Sequence, residues 1–340
     1  MRIAQVCPLF LTVPPADRGG TERVVFDLTE ALVRAGHDVT LFAADGSLTS
    51  ARLIGQGPAI SAIEDAPPGL PGAREAVMLD AVAARAGAFD VIHCHTEFAH
   101  AAVLRDVRER TLTTVHWRLD QADRNAFFEG FPDLPIAAIS KDQGSAYVGA
   151  NLRGVVHHGL DADRYEAGPG GGGYAAFIGR MTDQKRPDAA IRIARGAGLS
   201  CRLAGGVDLG NPRYFRERVE PLLGTDAVFV GPVGDAAKQD FLGGAEALLF
   251  PIDWPEPFGL VMIEAMACGT PVIAYRRGSV PEVIEEGVTG FIVETEDEAA
   301  AALIRARTLD RAQVRARFEA RFTADHMAAG YASIYEGLLS

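Results

Sequence analysis

The sequence predicts an α/β protein of two domains, each built around a parallel sheet. Three observations carry that expectation. Short apolar runs alternate with stretches of helical spacing along nearly the whole chain, as strands and helices taken in turn would require. The alternation restarts in the second half, after a joining segment at 155–173 that ends in four glycines. A chain of 340 residues also suffices for two ordinary domains, each with its own core.

In the first half the apolar runs place strands at 3–7, 38–42, 90–94, 112–115 and 136–139. Helical spacing fills 21–35, 74–86 and 98–108, and Gly36 stands where a helix C-cap belongs. In the second half strands are expected at 175–179, 201–204, 227–230, 247–250, 272–274 and 290–293, with helices at 187–197, 212–222, 235–243 and 259–267. The tail, 299–340, reads as helical and rich in alanine and arginine. Within it Tyr331, Ile334, Tyr335 and Leu338 have the spacing of one buried face.

Composition narrows the function. With 48% hydrophobic and 23% charged residues the chain is a globular protein of ordinary kind. A net charge of −12 argues against a nucleic-acid partner, whose phosphates reward basic surfaces. The first residues run straight into a strand with no signal-peptide pattern, and no apolar run has the length of a membrane helix. Cys7, Cys94, Cys201 and Cys268 sit apart in apolar runs with no C-x-x-C, as buried reduced thiols would. A cytoplasmic enzyme without an integral membrane segment is the expectation.

The stretch 249–271, LFPIDWPEPFGLVMIEAMACGTP, carries the most chemistry. A buried strand ends at Phe250, a proline-broken loop follows, and Gly259 leads into a helix. Unpaired N–H groups at a helix start make the turn Pro257-Phe258-Gly259-Leu260 a natural seat for an anion. Glu256 and Glu264 flank it, and carboxylates are good acceptors for sugar hydroxyls. Phosphate beside polyol points to a nucleotide sugar. The string EPFGLVMIE, followed by AMACGTPVIA, resembles the donor-site signature of the retaining family 4 glycosyltransferases. That resemblance implies the GT-B fold: two Rossmann-like domains with parallel sheets facing across a cleft, and a last helix that packs back on the first domain. On it, residues 1–157 form the acceptor-side domain, 158–322 the nucleotide-sugar domain and 323–340 the returning helix. Segments around 203–223, 230–234 and 245–251 look most like a branch holding antibiotic-sugar and pterin glucosyltransferases.

The resemblance also implies roles. Arg180 and Lys185 follow the strand at 175–179 and would contact the donor diphosphate; otherwise they are a solvated surface pair. Glu264 would hold the ribose hydroxyls and Glu256 a hydroxyl of the transferred sugar, with Phe258, Gly259 and Leu260 at the donor phosphates. Gly19-Gly20 resembles the family's turn near the leaving phosphate, or else is an ordinary helix entry capped by Thr21. His116, after the strand at 112–115, resembles an active-site histidine that borders the transferred sugar and is not assigned as a base. His158 stands where the family's hinge usually carries asparagine. The implied co-substrate is a nucleoside-diphosphate sugar, a UDP-sugar by expectation, with a hydroxyl acceptor of unknown identity and no bound metal.

Other features read as structural. His93 and His95 alternate on a strand and, with His100, raise a metal reading, but no further ligand at useful spacing appears. Gly170 to Gly173 lacks the lysine of a phosphate-binding loop and precedes a strand, so it reads as a linker. Phe127, Phe128 and Phe131 either form an aromatic acceptor wall or pack in the core, and loops at 9–18 and 118–133 are expected to shape the acceptor pocket. The rival readings are a non-catalytic sugar-nucleotide binding module and a nucleotide-sugar epimerase of the same fold.

Overall fold

The structure, a computed structural model, describes residues 1–16, 19–146 and 149–340. It contains two compact units: residues 1–161 together with 323–340, and residues 162–322. The chain leaves the first unit after Asp161, four residues beyond the expected boundary. The reason is local: Leu160 bridges to Thr323, and Ala324 N donates to Leu160 O at 2.7 Å, so residues 158–161 belong with the returning helix.

The first unit is built on seven parallel strands: β1 (Arg2–Val6), β2 (Asp38–Ala43), β3 (Arg52–Gly55), β4 (Val91–Cys94), β5 (Thr111–Thr114), β6 (Pro135–Ala138) and β7 (Asn151–Val155). Their order is β3-β2-β1-β4-β5-β6-β7. The central strands β4, β5 and β6 are buried at every position, which is why, His93 in β4 apart, they read as apolar or threonine runs. The two edge strands, RLIG and NLRGV, are half exposed and were not legible in the sequence. The long first helix, Gly20–Arg34, packs beside the final helix, Ala324–Leu339. Tyr331 and Tyr335 of that last helix are fully buried, whereas Ile334 and Leu338 are only partly so.

Two expectations fail here. No continuous helix spans 98–108: one turn, His100–Val103, gives way to the 3₁₀ segment Arg105–Arg110, with non-helical backbone at Val107. Part of the loop expected at 118–133 is a helix, Ala122–Gly130, whose only buried residue is Phe128. Phe127 and Phe131 are half-buried and pack against the same small core as Trp117. Of the loop expected at 9–18, residues 17 and 18 lie outside the described residues.

The second unit is a six-stranded parallel sheet: β8 (Tyr174–Ile178), β9 (Ser200–Ala204), β10 (Ala227–Gly231), β11 (Ala247–Phe250), β12 (Val272–Tyr275) and β13 (Gly290–Val293). The order is β10-β9-β8-β11-β12-β13, the doubly wound arrangement. Its core gathers Phe177, Ile191, Leu203, Leu249, Ile273 and Leu303. The expected helix at 212–222 is instead a short α turn, a π segment and a 3₁₀ turn, broken where Pro221 cannot donate to the ladder. The expected tail helix is three helices, Glu296–Ala306, Arg311–Arg321 and Ala324–Leu339, with Asp310 and Thr323 capping the second and third.

Candidate active site

In the second unit the strand order reverses between β8 and β11, and open sheets of this kind bind ligands beyond the carboxyl ends of the strands at that point. Arg180 and Lys185 follow β8. Glu256 follows β11, and Glu264 lies in the next helix, Leu260–Ala267. Lys185 Nζ forms a short ion pair with Glu256 Oε2, which also accepts a 2.6 Å hydrogen bond from Trp254 Nε1. The ammonium lies 5.2 Å from the Trp254 ring centre and 5.7 Å from that of Phe250. Both charged side chains are mostly buried, so water screens the pair weakly. Arg180 is exposed, and its guanidinium has no partner among the described residues.

The loop that carries Glu256 is shaped by its residues. Pro251, Pro255 and Pro257 cannot extend the strand ladder. Gly259 caps the helix in the left-handed region, where a side chain would press on Met262 and the Phe250 ring. The loop is then pinned from the side. Ser279 N donates to Glu256 O at 3.0 Å, and Ser279 Oγ to Phe258 O at 2.7 Å. Gly278, also left-handed at φ 52°, lets this segment approach: a Cβ there would fall 2.3 Å from Glu256 O. Phe258 itself is buried against Phe322, so only its backbone and those of Gly259 and Leu260 are offered at the helix entrance.

Glu264 has a partner that sequence reasoning missed. Lys238 Nζ lies 2.7 Å from Glu264 Oε1, and both side chains are mostly buried. Lys238 belongs to the helix Asp235–Gly243, which follows β10. A lysine in the opening turns of a helix at the carboxyl edge of the sheet is the only signal that marked it. The four-residue neighbourhood of Arg180 is held in turn by β9: Gly179 N donates to Ala204 O and Met181 N to Gly206 O, each at 3.0 Å.

The remaining candidates lie in the first unit. Gly19 is the N-cap of the first helix, in place of Thr21, and is crowded by Leu11, Pro15 and Glu22; Gly20 opens the helix and is exposed. His116 follows β5 and is partly exposed. Its Nε2 lies 2.9 Å from His95 Nδ1, and its ring stacks on His158 at 5.3 Å between centroids. His95 Nε2 meets Gln5 Oε1 at 2.8 Å. His93 is spent on Tyr335 and Thr114, both at 2.7 Å, and His100 on Thr96 and Thr113. The ring nitrogens that raised a metal reading thus have protein partners. Among the described residues no group of three or more His, Cys, Asp or Glu side chains is placed to hold a metal ion. Burial keeps these imidazoles neutral: it pushes His93, His95 and His158 well below the usual range, His100 to about 4 and His116 to about 3.

Comparison with known proteins places this arrangement. Residues 164–322 match the model of glycosyl transferases group 1, and residues 18–142 match that of glycosyltransferase family 4. The chain belongs to the family 4 glycosyltransferases. Among curated members, a D-inositol 3-phosphate glycosyltransferase of Streptomyces scabiei is 31% identical over 213 residues, 53% of this chain and 48% of the relative. Another, from Saccharomonospora viridis, is 34% identical over 187 residues, 48% of this chain and 43% of the relative. The chain therefore spans about half the length of the curated relatives it matches. Solved structures agree along the whole chain. AviGT4, a glycosyltransferase involved in avilamycin A biosynthesis, superposes with a TM-score of 0.75 at 22% identity, covering 100% of this chain and 98% of its own. Anabaena HepE in complex with UDP and glucose gives 0.74 at 21% identity, covering 99% and 100%. At that identity the likeness shows the fold, and the fold is GT-B.

Proposed function

We propose that the chain is a retaining glycosyltransferase that moves a sugar from a nucleoside-diphosphate sugar, a UDP-sugar in the first instance, to a hydroxyl acceptor. One observation carries the reading. At the switch point of the second sheet, two mostly buried Lys–Glu pairs, Lys185–Glu256 and Lys238–Glu264, tie together the segments that follow β8, β10 and β11, with the exposed Arg180 also following β8 and a helix entrance between Glu256 and Glu264. A diphosphate leaving group needs its growing negative charge met by fixed cations and N–H dipoles. Arg180, Lys185 and the backbone at 258–260 supply these. When Lys185 turns to phosphate, Glu256 keeps its Trp254 donor and has an oxygen left for a sugar hydroxyl. Glu264, held by Lys238, is the acceptor for the ribose hydroxyls. On the family's pattern His116 borders the transferred sugar and the Gly19-Gly20 turn the leaving phosphate. A front-face transfer, in which the departing phosphate takes the acceptor's proton, is one route such a cation-lined site would serve. The UDP complexes of HepE support uracil as the base, and the name of the inositol-phosphate relatives makes an inositol phosphate the first acceptor to try. Four buried, unpaired thiols suit a reducing compartment such as the cytoplasm.

The test is a thermal-shift panel of UDP, GDP, ADP and TDP with their sugars, on wild type and Lys185→Ala, followed by product analysis. One nucleotide series should raise the midpoint in wild type, and Lys185→Ala should weaken that shift and lower kcat by about 10²-fold. No shift from any series would overturn the reading.

A further inference from the structure

We propose that His95, backed by Gln5, is a positioning residue that fixes the tautomer of His116, keeping Nε2 protonated and Nδ1 open as an acceptor for a sugar hydroxyl. The proposal rests on the reading above in assigning His116 to the sugar. Its core is proton arithmetic within the first unit. The Gln5 carboxamide donates from Nε2 to Tyr335 Oη at 3.3 Å and so turns Oε1 to His95 Nε2, 2.8 Å away. That oxygen can only accept, so His95 Nε2 carries hydrogen. A neutral imidazole has one N–H, which leaves His95 Nδ1 a bare lone pair. Its partner at 2.9 Å, His116 Nε2, must therefore donate. By the same rule His116 Nδ1 is bare, and it has no hydrogen-bond partner among the described residues.

The other arm runs consistently from the same glutamine. Tyr335 Oη, having accepted from Gln5, donates to His93 Nδ1 at 2.7 Å; His93 Nε2 donates to Thr114 Oγ1 at 2.7 Å; Thr114 Oγ1 donates to Tyr331 Oη at 2.8 Å. No hydrogen is missing and none is doubled. Gln5, His93 and His95 are wholly buried, so water cannot substitute for a missing partner. Turning Gln5 over would reverse every bond in both arms together, so one side chain sets the direction of all of them. The chemistry gives that direction a purpose. The sugar carbon gains positive charge as the bond to phosphate breaks. A neutral ring offering a lone pair tolerates that charge, whereas an imidazolium would oppose it.

The experiment is long-range ¹H–¹⁵N spectroscopy of histidine-labelled protein, which reports each ring's tautomer without any substrate. In wild type His116 should carry hydrogen on Nε2 alone. Gln5→Met touches neither His116 nor substrate, yet should free His95 to exchange its N–H and give His116 a mixed tautomer. His95→Leu should do the same, while His95→Asn, whose Oδ1 replaces Nδ1 as acceptor, should restore the single tautomer. With UDP-glucose, Gln5→Met should lose about tenfold in kcat/KM, the worth of one neutral hydrogen bond. Hydrogen on His116 Nδ1 in wild type would overturn the proposal even if no variant folds. So would an unchanged His116 in Gln5→Met, or a His95→Asn spectrum identical to that of His95→Leu. Failure of wild type to turn over any nucleotide sugar would instead count against the proposed function and leave the tautomer assignment standing.

Discussion

Lys238 shows how much one unremarked side chain can matter. Its ammonium neutralises Glu264, a carboxylate that is only 10% exposed and sits in the helix at the switch point. Removing the cation while leaving the carboxylate strands a charge where water reaches it poorly. Lys238→Met should therefore cost about 2 kcal/mol, and the double variant with Glu264→Gln should recover most of that, as read from urea midpoints of the second unit's transition. A cost that persists in the double variant would mean that Lys238 acts through packing instead. The sequence named Glu264 because a motif surrounds it, but Lys238 has no motif. Its helix contributes one turn to the site and otherwise looks like any amphipathic surface helix. Pairing between two helices, 26 residues apart in sequence, is visible only once the sheet has brought the carboxyl ends of β10 and β11 to the same edge.

At the scale of elements, the loop after β11 keeps its shape through its neighbour. The segment at 278–279 grips Glu256 and Phe258 by their backbone oxygens, and Gly278 makes the grip possible. Gly278→Ala forces a methyl group into Glu256 and a left-handed conformation on alanine. It should destabilise the second unit by about 1–2 kcal/mol from the backbone alone. Because the clash is with the Glu256 backbone itself, the thermal response to nucleotide should fall further than that loss of stability explains. A full nucleotide shift in a merely destabilised variant would show that the loop tolerates the displacement. The same scale separates what sequence discloses from what it hides. Buried strands such as β11 and β12 are unbroken apolar runs and are legible at once. The edge strands β3 and β7 bury half a face each and carry arginine, so their pattern blends into loop. The helices expected at 98–108 and 212–222 have the right periodicity, yet the first is interrupted by non-helical backbone at Val107 and the second is a run of α, π and 3₁₀ pieces, the last of them holding Pro221.

For the whole molecule, the placement of histidine is lopsided. All eight lie in the first unit, at 37, 93, 95, 100, 116, 157, 158 and 326, and the second unit has none. Five of them, His93, His95, His100, His116 and His158, are held below their usual range by burial. A histidine with a depressed folded pKa binds its proton more readily when unfolded. Its stabilising effect is complete above about pH 6.5 and is lost as pH falls, at up to about 1.4 kcal/mol per pH unit for each group. Between pH 6.5 and 5 the first unit's thermal transition should drop steeply, while the second unit's transition moves little. Calorimetry across that range checks this, and two transitions that fall in step would refute it. The first unit would then open while the second is still folded, so, on the proposed function, acid should abolish transfer before it abolishes nucleotide binding.

The last helix has a consequence for the order in which the protein can be made. Tyr331 and Tyr335 close the buried network that begins at Gln5 in the first strand, and 161 residues of another unit separate the two parts of the sheet's own domain. On the ribosome the first strand emerges early and its partner tyrosines emerge some 330 residues later. Throughout that interval Gln5 and His93 lack the Tyr335 hydroxyl and Thr114 lacks that of Tyr331, in a part of the chain that will become wholly dry. The second unit, continuous in sequence, can complete itself before the first. Nascent chains should thus expose an unfinished, histidine-lined first domain until the last helix has emerged.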